Sequence, residues 1–495
     1  MLRFYFTTLL ICLGLTFVDV SGIEKCLGQQ EEDAAQTDQT ENALVNELLG
    51  KDNQDVDKKA SDKNDFSKTE TPQPDNMKTY SLVSRRTTGT VDKVEVTLEA
   101  VGDVTQFLKG KESDSNKMEI LAGFRYEERT EKFDEALNSP LQSVRHYNVA
   151  KARIQIGNQL NSPVLDTNKK IIICNINGGQ SSLFATAGPL KDNQLLLIED
   201  MPANTLLLDR LLPPKKVSVG ETWKISDETL GPLLTLDAID TQNVEASLAE
   251  VKNNIALVDV KGDIEGAYLG AASAMDVHIM YQFDMENRRI IWLGLVITES
   301  RSLGNIGPAV DLIAKLSLKV QPDIEPEQLM PDNKINVPEE PTKENLQLLY
   351  DSPDKGAWRF LHNRNWYIVY DEPGSTKLRL LQNGELLSQC DVAQMGKIDT
   401  ASPSTLDSFR ADLKTGLGNN FGKVISEQEG KTKKDYSELR IVVSNNSESM
   451  PLVWIYYLLT KKDGKQAVIA FVVQSDKQET FGDTDREIVD SFEIK

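Results

Sequence analysis

Residues 275–283 read Met-Asp-Val-His-Ile-Met-Tyr-Gln-Phe, and apolar side chains occupy every second position. This period of two is typical of a β-strand with one buried face, because successive side chains of a strand point to opposite sides. The polar turn Glu286-Asn287-Arg288 then leads into a second apolar run at 290–298. Two such runs joined by a short turn predict an antiparallel hairpin.

The same pattern recurs over the residues that precede and follow this hairpin. Further strand-like runs lie at 90–104, 143–157, 170–175, 181–187, 244–251, 255–262 and 310–320. Asn177-Gly178-Gly179 separates two of them, and Asn-Gly is a strong hairpin signal. Helical patterns are predicted only at 202–212 and 227–236. Residues 80–320 are therefore predicted to form one large β-rich domain, mainly antiparallel.

Residues 346–495 carry a different order of elements. Strands are predicted at 357–363, 365–370, 377–382, 385–392, 423–428, 438–444, 452–460 and 466–474. A helix is predicted at 403–415, with Ser402 as its cap and Gly416 at its end, and a second helix at 481–492. This order predicts a smaller α+β domain with an antiparallel sheet and flanking helices. The fold class of the whole chain is predicted to be α+β, mainly antiparallel β.

Two segments lack the composition of a packed domain. Residues 23–79 are acidic and polar, with Phe66 as their one aromatic side chain, and are predicted to be a disordered tether. Residues 321–345 hold five prolines among acidic residues, which is typical of a stiff, extended linker.

The first 22 residues carry a targeting pattern. Arg3 precedes an apolar run at 4–18 that only three threonines interrupt. A helix of that length rises about 22 Å, short of the ~30 Å hydrocarbon core of a bilayer. We therefore expect residues 1–22 to be a cleaved signal peptide, and the protein to be exported to a periplasmic or extracellular location. No later segment of the sequence reaches membrane length.

The four cysteines bear on the alternative of a lipid anchor. Bacterial lipoprotein signals usually place a small residue before the modified cysteine, whereas Ile11 precedes Cys12 and Lys25 precedes Cys26. The sequence therefore favours the cleaved signal. Cys174 and Cys390 fall in different predicted domains, and we expect them to be buried apolar side chains and not a redox pair.

The charge balance excludes some classes of partner. The 495 residues include 55 Lys and Arg against 76 Asp and Glu, a formal net charge of -21. Nucleic-acid binding depends on basic side chains that displace counterions, so we expect no nucleic-acid partner. The same balance argues against adsorption to an anionic membrane, and its simplest consequence is solubility.

An aromatic hairpin with Trp358, Phe360 and Trp366 opens the C-terminal unit. The helix at 403–415 follows, and the unit closes on the strand residues 470–473 and a helix that ends in Ser491-Phe492. These features resemble the PsbP/DcrB-like fold, named for an extrinsic photosystem II protein and a bacterial periplasmic lipoprotein. The resemblance implies a fold and no particular activity, because proteins of this fold have diverse roles.

A second resemblance lies in the N-terminal unit. Leu211-Leu212-Pro213 is followed by Trp223, and glycines recur at 262, 266 and 270. This pattern is similar to one in large, uncharacterised exported proteins of planctomycete bacteria. The resemblance implies that the protein is exported and how its domains are organised, and it implies no catalytic residues.

The histidines and glycines give no metal or cofactor site. No two of His146, His278 and His362 have the spacing of metal ligands. His146 is predicted to be a hydrogen-bonded core residue on the apolar face of 143–157, shared with Val144, Ala150 and Ala152. His278 is predicted to be solvated on the polar face of 275–283. Gly416, Gly418 and Gly422 depart from phosphate-loop spacing, so we expect a helix end and a turn there, and turns or bulges at Gly262, Gly266 and Gly270.

A calcium loop that begins at Asp114 fails because Met118 occupies a ligand position. Pairs of acidic residues and clusters of aromatic residues are the remaining candidates for a functional site. Glu127 and Glu128 are adjacent and are predicted to point to opposite faces of a strand. Asp284 and Glu286 are predicted to lie at a solvated hairpin tip. Trp358, Trp366 and Trp454 are expected in the core, and one of the neighbours Tyr456 and Tyr457 is expected at the surface.

No catalytic, metal-binding or cofactor-binding residue is predicted, and no cofactor. The preferred hypothesis is an exported, non-enzymatic binding or scaffold protein with an unknown protein or a small apolar ligand as partner. The second is a carrier of a lipid or small apolar ligand in a cavity of the N-terminal β domain. The third is a hydrolase with paired carboxylates, which requires two acids to converge in one cleft.

Overall fold

The computed structural model describes residues 78–495, apart from 106, 109–110, 113–114, 137–138, 178–179, 331–332, 334, 352–357 and 447–450. The predicted signal peptide and nearly all of the predicted tether lie outside the described residues. Every pairing between the strands named below is antiparallel, which confirms a mainly antiparallel β structure.

The N-terminal part of the described chain is built around one large sheet. Its elements are β1 (Thr79–Tyr80), β2 (Val91–Thr105), β3 (Phe107–Leu108), β4 (Lys111–Glu112), β5 (Asn116–Asp134), β6 (Ser139–Ile156), β7 (Gln159–Asn161), β8 (Ile171–Asn177), β9 (Gln180–Ala185), α1 (Asp192–Glu199), β10 (Val217–Ser218), β11 (Thr222–Lys224), α2 (Asp227–Leu233), β12 (Ala238–Gln242), β13 (Glu245–Lys252), β14 (Ile255–Tyr268), β15 (Ala271–Asp284), β16 (Arg289–Arg301) and β17 (Ala309–Gln321). Thirteen of these strands pair in the order β11-β13-β14-β15-β16-β17-β2-β5-β6-β8-β9, with β12 beside β14 and β7 beside β6.

The predicted hairpins at the centre of this sheet are confirmed. Side chains of β15 alternate between buried and more exposed along its whole length. The turn between β14 and β15 is Leu269-Gly270, and both residues have positive φ (50° and 74°), the geometry of a two-residue hairpin turn. The alternation pattern therefore sets the register of the sheet, because a shift by one residue would expose the buried face.

β5 is not predicted by the sequence pattern, although it spans 19 residues between β2 and β6. A β-bulge at Asn148 of β6 also changes which residues share a face. Tyr147 and Ala150 belong to the large cluster on the face that we call the inner face. Val144 packs in a separate cluster on the outer face, and His146 points to the same side as Val144. The prediction that His146 shares a face with Ala150 is wrong because of this bulge.

Residues 190–236 cover the inner face. α2 confirms the predicted helix that begins at Asp227, whereas the predicted helix at 202–212 is wrong. That stretch holds only a short 3-10 turn, Leu208–Leu211, and the helix of this region is α1, which comes before it. Asn204 accepts a hydrogen bond from the backbone N–H of Leu206 (3.2 Å), and such a local bond competes with helix formation.

The C-terminal part contains a second sheet of seven strands. Its elements are α3 (Lys343–Leu346), β18 (Leu348–Asp351), β19 (Trp358–His362), β20 (Trp366–Glu372), β21 (Ser375–Gln382), β22 (Glu385–Met395), α4 (Leu406–Leu417), β23 (Val424–Lys431), β24 (Ser437–Ser444), β25 (Leu452–Thr460), β26 (Gln466–Gln474), α5 (Gln478–Phe481), α6 (Thr484–Ser491) and β27 (Glu493–Ile494). The seven strands run β20-β21-β22-β26-β25-β24-β23, and β18, β19 and β27 form a smaller sheet.

The helices of this part differ in detail from the prediction. Thr405, and not Ser402, caps α4, because its hydroxyl accepts from the backbone N–H of Ser408. α4 continues past Gly416 to Leu417, and Gly418 (φ 54°) is the residue that caps its C-terminus. The helix predicted at 481–492 is confirmed as α6, but it begins at Thr484, because Phe481 ends the separate helix α5 and Gly482 (φ 53°) follows it.

Helices cover both faces of the second sheet. Tyr456 packs in a cluster with Phe409 and Leu413 of α4. Tyr457 packs on the other face with Phe481 of α5 and Ile488 of α6. Both tyrosines are buried, so the expectation that one of them is exposed is wrong. The three tryptophans expected in the core, Trp358, Trp366 and Trp454, are buried as predicted.

The proline-rich segment 321–345 packs against the first sheet where it is described. The Glu127 carboxylate accepts hydrogen bonds from the backbone N–H groups of Glu327, Gln328 and Leu329 (2.9–3.0 Å). Leu329 is buried in the outer-face cluster beside Val144. This part of the segment is therefore fixed to the outer face of the sheet.

Candidate functional site

A cleft of about 1690 Å³ lies where the first sheet and its covering residues meet the second sheet. One wall consists of α1, α2, the β14–β15 turn and the end of β16, and the other consists of β20 and the turn before it. We call it the junction cleft. Pockets for small molecules usually hold about 300–1,000 Å³. The junction cleft therefore has room for a larger ligand.

Carboxyl groups dominate the charged lining of the junction cleft. Three arginines, Arg210, Arg301 and Arg364, face nine acidic residues, which are Asp134, Glu135, Asp192, Glu199, Asp200, Asp209, Asp227, Glu228 and Asp237. With all of these groups ionised, the lining carries six more negative than positive charges. A concave surface of one sign concentrates mobile ions and ligands of the other sign.

Asp200 lies at the centre of this lining, directly after α1. Its Oδ2 accepts a hydrogen bond from the Tyr268 hydroxyl (3.0 Å), and the Arg301 guanidinium lies over the Tyr268 ring at 4.4 Å from the centroid. Loss of hydration among these groups raises the pKa of Asp200 to about 6, although Tyr268 and Arg301 act in the opposite direction. The carboxyl remains open to the cleft.

Asp237 and Tyr367 complete the centre of the lining. The backbone N–H of Leu269 donates to Asp237, and partial burial raises the pKa of that carboxyl. Burial, together with the charges of Asp237, Asp200 and Glu199, raises the pKa of Tyr367 to about 12. The three carboxyl groups and the Tyr367 phenol all line the junction cleft.

Glu199 connects the two walls. Its Oε1 accepts from Arg364 Nη1 (2.9 Å), and Arg364 also donates to the backbone oxygens of Leu183 and Leu346. Burial raises the pKa of Glu199 to about 7, whereas the Arg364 charge lowers it. The Glu199 side chain is 24% exposed, so this ion pair is largely shielded from water.

The acidic pair Glu127 and Glu128 lies outside the cleft, and its two members point to opposite faces as predicted. Glu128 is fully buried and accepts from Arg86 Nη2 (2.7 Å), Arg145 Nε (2.8 Å) and the Ser143 hydroxyl (2.8 Å). Burial alone would raise the pKa of Glu128, but the two guanidinium groups hold it well below its ordinary value. We call Glu128, Arg86, Arg145 and Ser143 the buried charge network.

The three histidines lie apart. His278 forms a pair with Asp259 (2.7 Å) instead of standing free in solvent. His146 is half-buried and therefore not the core residue that was expected, and its Nδ1 has no hydrogen-bond partner among the described residues. His362 is fully buried and contacts Asp192 of α1 (3.2 Å). No group of three potential metal ligands occurs in the described part of the chain.

Other expectations about single residues hold. Asp284 accepts hydrogen bonds from the backbone N–H groups of Glu286 and Asn287, so it stabilises the predicted hairpin tip. Cys174 and Cys390 are buried free thiols. Asp114 of the rejected calcium loop lies outside the described residues.

The sequence patterns do not identify the residues of the junction cleft. Asp200 follows α1, Tyr268 ends β14, Arg301 ends β16, and Arg364 lies in the turn before β20. Their separations along the chain are large and have no fixed spacing. The one local signal is the Glu199-Asp200 pair at the end of a helix.

No helix within the described ranges is long and apolar enough to cross a membrane. No protein-family model and no curated protein matches the chain. Among solved structures, the Ran-binding protein Mog1p of Saccharomyces cerevisiae aligns over 30% of this chain and 95% of its own, at 12% identity and a TM-score of 0.24. Lipovitellin, from a study of its lipid–protein interactions, aligns over 49% of this chain and 26% of its own, at 8% identity and a TM-score of 0.29. At these TM-scores neither likeness establishes a shared fold.

Proposed function

We propose that the chain is an exported, non-enzymatic binding protein whose ligand occupies the junction cleft. The observation that supports this proposal is the cleft itself, with its volume of about 1690 Å³ and its walls from two sheets. The excess of carboxylates favours a ligand with positive charge, because charge complementarity speeds encounter and selects partners. The size of the cleft favours a basic peptide segment over a small metabolite.

The centre of the cleft has the groups that such a ligand needs. Asp200 and Asp237 are carboxylates open to the cleft, and each can accept a hydrogen bond from an ammonium or guanidinium group. Tyr367 adds an aromatic ring, which attracts cations through its face. We infer that these three residues contact the ligand.

We also infer a division into two domains, 80–320 and 346–495, joined by the linker 321–345. Most buried apolar residues of each part pack in clusters of that same part, which supports this division, although Leu348 packs in the cluster of the first part. The PsbP/DcrB-like character of the second domain remains a proposal, supported by its aromatic hairpin, by α4 and by the closing helices. Export by a signal peptide at 1–22 and the likeness to planctomycete proteins are proposals that rest on the sequence.

The binding proposal is tested with a short lysine-rich peptide and a glutamate-rich peptide of equal length. We expect the full chain to bind the lysine-rich peptide in a salt-dependent way, and Asp200→Asn with Asp237→Asn to weaken binding by about tenfold or more. Glu286→Gln removes an exposed carboxylate at a hairpin tip and serves as the control. Equal binding of both peptides, or no effect of the double variant, contradicts the proposal.

A hydrolase with paired carboxylates is the second candidate. It is favoured by the convergence of Glu199, Asp200 and Asp237, because acid–base catalysis needs carboxyl groups whose pKa values lie near the working pH. Turnover of a chromogenic glycoside panel that is lost in Asp200→Asn would replace the binding proposal with this one.

One observation supports the hypothesis that the protein carries a lipid or small apolar ligand. Leu98, Ala122 and Ala152 are direct cross-strand neighbours on β2, β5 and β6, and all three are only half-buried on the inner face. Most of the inner face is filled by packed side chains. Binding of a fluorescent fatty acid to the full chain, and loss of that binding in the Ala122→Phe variant, would support this candidate.

A further inference from the structure

β20 is an edge strand of the seven-stranded sheet. Among the described strands it pairs with β21 alone, and β23 forms the opposite edge of the sheet. An edge strand presents backbone N–H and C=O groups that no neighbouring strand uses, and another chain can pair with them. The surroundings of β20 therefore decide whether a ligand can use this edge.

The register of β20 against β21 shows which backbone groups point to the open side. The N–H of Leu381 donates to Asn365 O (2.9 Å), and Tyr367 lies two residues further along β20. Hydrogen-bonded and non-hydrogen-bonded pairs alternate along an antiparallel ladder, so Tyr367 directs its N–H and C=O to β21. Trp366 and Ile368, on either side of it, direct theirs away from β21.

The open side of β20 offers backbone donors and acceptors over a short stretch. The N–H of Trp366 donates to Asn363 O (3.2 Å) in the preceding turn. The C=O of Trp366 and both backbone groups of Ile368 pair with no strand of the described chain. A β-bulge at Val369 then ends the regular edge. The edge therefore has room for about four residues of an added strand.

This stretch borders the junction cleft. Asn365, Trp366 and Ile368 all line the cleft, so a ligand within it can reach the open edge. Residues 365–368 contain no proline and no charged side chain, two features that commonly protect an edge from pairing. The edge is therefore open to pairing from the cleft.

The opposite edge of the same sheet has the protection that residues 365–368 lack. β23 carries Glu427, Glu429 and Lys431, and a bulge at Ile425 interrupts its pairing. No residue of β23 lines the junction cleft. β20 is therefore the edge of this sheet that suits a strand-like ligand.

The acidic wall of the cleft lies on the side of β20 to which Tyr367 points. The charges of Asp200 and Asp237 act on the Tyr367 phenol. Arg379, directly opposite Tyr367 on β21, donates to the backbone oxygen of Asn305, so this face of the second sheet turns towards the first. Side chains of a strand alternate between the two faces of a sheet, so every second side chain of an added strand would face these carboxylates.

We propose that the junction cleft binds an extended peptide that adds to β20 as a further β-strand and has basic side chains at alternate positions. Backbone hydrogen bonds to Trp366 and Ile368 supply affinity, and the alternate basic side chains meet the acidic wall and supply specificity. This proposal rests on the proposed binding role, and it specifies the conformation and the sequence pattern of the ligand.

Two peptides of equal composition and about eight residues test the alternation. One alternates lysine and threonine, so that an extended strand has all of its lysines on one face. The other arranges the same residues as lysine pairs and threonine pairs, which places lysines on both faces. We expect the full chain to bind the alternating peptide at least about tenfold more tightly in calorimetry. Equal affinities overturn the proposal.

N-methylation of the alternating peptide tests the strand pairing itself. In an extended strand, the backbone groups of its lysines and of its threonines point to opposite sides, so only one residue type can pair with β20. We expect methylation of the central residues of one type to weaken binding by at least about tenfold, and methylation of the other type to change it by less than about twofold. Equal effects of the two methylations overturn the proposal.

Hydrogen exchange of the full chain locates the added strand. Binding of the alternating peptide should protect the Ile368 amide, which points to the open side. The Tyr367 amide already pairs with β21, so its protection should be equal with and without the peptide. Binding without protection of the Ile368 amide overturns the proposal and leaves the binding role intact. Absence of binding by both peptides overturns the proposal and the binding role together.

A proline variant removes the donor from the protein side. Ile368→Pro should weaken binding of the alternating peptide by at least about tenfold, because edge strands tolerate proline where the N–H faces outward. Glu429→Pro is the matched control: the register of β23 directs this amide to the open side of the other edge, and binding should be unchanged. Unchanged binding in Ile368→Pro overturns the proposal. The methylated peptides and the exchange of the wild-type chain decide it independently of whether this variant folds.

Discussion

The buried charge network and the junction cleft both contain carboxyl groups and arginines, but the pKa values of the carboxyl groups are shifted in opposite directions. In the network, Glu128 is fully buried between Arg86 and Arg145, and its pKa lies well below the ordinary value. In the cleft, Glu199 has one arginine partner, Asp200 has none in direct contact, and both pKa values are raised. The number of cations around each carboxyl decides the difference.

This comparison shows which acidic residues are open to a ligand. Glu128 has its hydrogen-bonding capacity filled by three donors and has no access to solvent. Glu199 and Asp200 have fewer cationic partners and line the open junction cleft. A buried acid with matched partners stabilises the fold, whereas an acid without them is available for binding or proton exchange.

The largest expected effect comes from breaking the network. Glu128→Gln leaves Arg145 buried without a carboxylate partner and Arg86 with only Asp92, at 3.8 Å, so we expect the free energy of unfolding to fall by about 3–5 kcal/mol. Urea denaturation measures this loss. Glu119→Gln removes an exposed carboxylate of the same strand, 3.9 Å from Arg153, and should change stability by at most about 0.5 kcal/mol. Similar losses in both variants would contradict the comparison.

The next effect is on acid stability. The pKa of Glu128 is lowered in the folded state, so its stabilisation is present above its ordinary value of 4.5 and is lost as the pH falls below that value. We expect wild-type stability to decrease by about 2 kcal/mol from pH ~5 to pH ~3 through this group. Glu128→Gln should show a shallower decrease over this interval. An equal slope in both proteins would show that the network does not titrate as a unit.

The sheets could be predicted well from the sequence where alternation is regular. β25 and β26 have the predicted boundaries, because turn residues and apolar runs coincide there. β5 could not be predicted, since bulges interrupt its pairing with β6 and charged side chains such as Glu128 are buried inside the fold. Period-two arguments assume that charged positions face solvent, and the network breaks that assumption.

The candidate site could not be predicted from the sequence. Asp200, Tyr268 and Arg301 meet only because the last residues of β14, of β16 and of α1 lie at the same end of the first sheet's strands. Local spacing contains no information about such a meeting. The sequence did allow the opposite faces of Glu127 and Glu128 to be predicted, since that follows from the geometry of a single strand.

Glu199→Gln should have the opposite sign to Glu128→Gln. The folded-state pKa of Glu199 is raised, so the ionised carboxyl destabilises the folded state above pH ~7, and this cost disappears as the pH falls toward 4.5. Relative to wild type, we expect the variant to gain about 2.5 kcal/mol more stability at pH ~8 than at pH ~5. Thermal unfolding at the two pH values measures the difference. A loss of stability at pH ~8 would show that Glu199, like Glu128, stabilises the fold in its ionised form through its arginine partner.

The smallest effect is expected at a pair that belongs to neither region. Asp259 and His278 contact each other on the outer face of the first sheet (2.7 Å), and both side chains are partly exposed. Hydrogen bonding from His278, together with Lys261, lowers the pKa of Asp259. Because water screens such pairs, His278→Gln should cost about 0.2–1 kcal/mol in urea denaturation. A cost as large as that of Glu128→Gln would contradict the comparison. It would mean that the exposure of a carboxyl group does not decide how much that group contributes to stability.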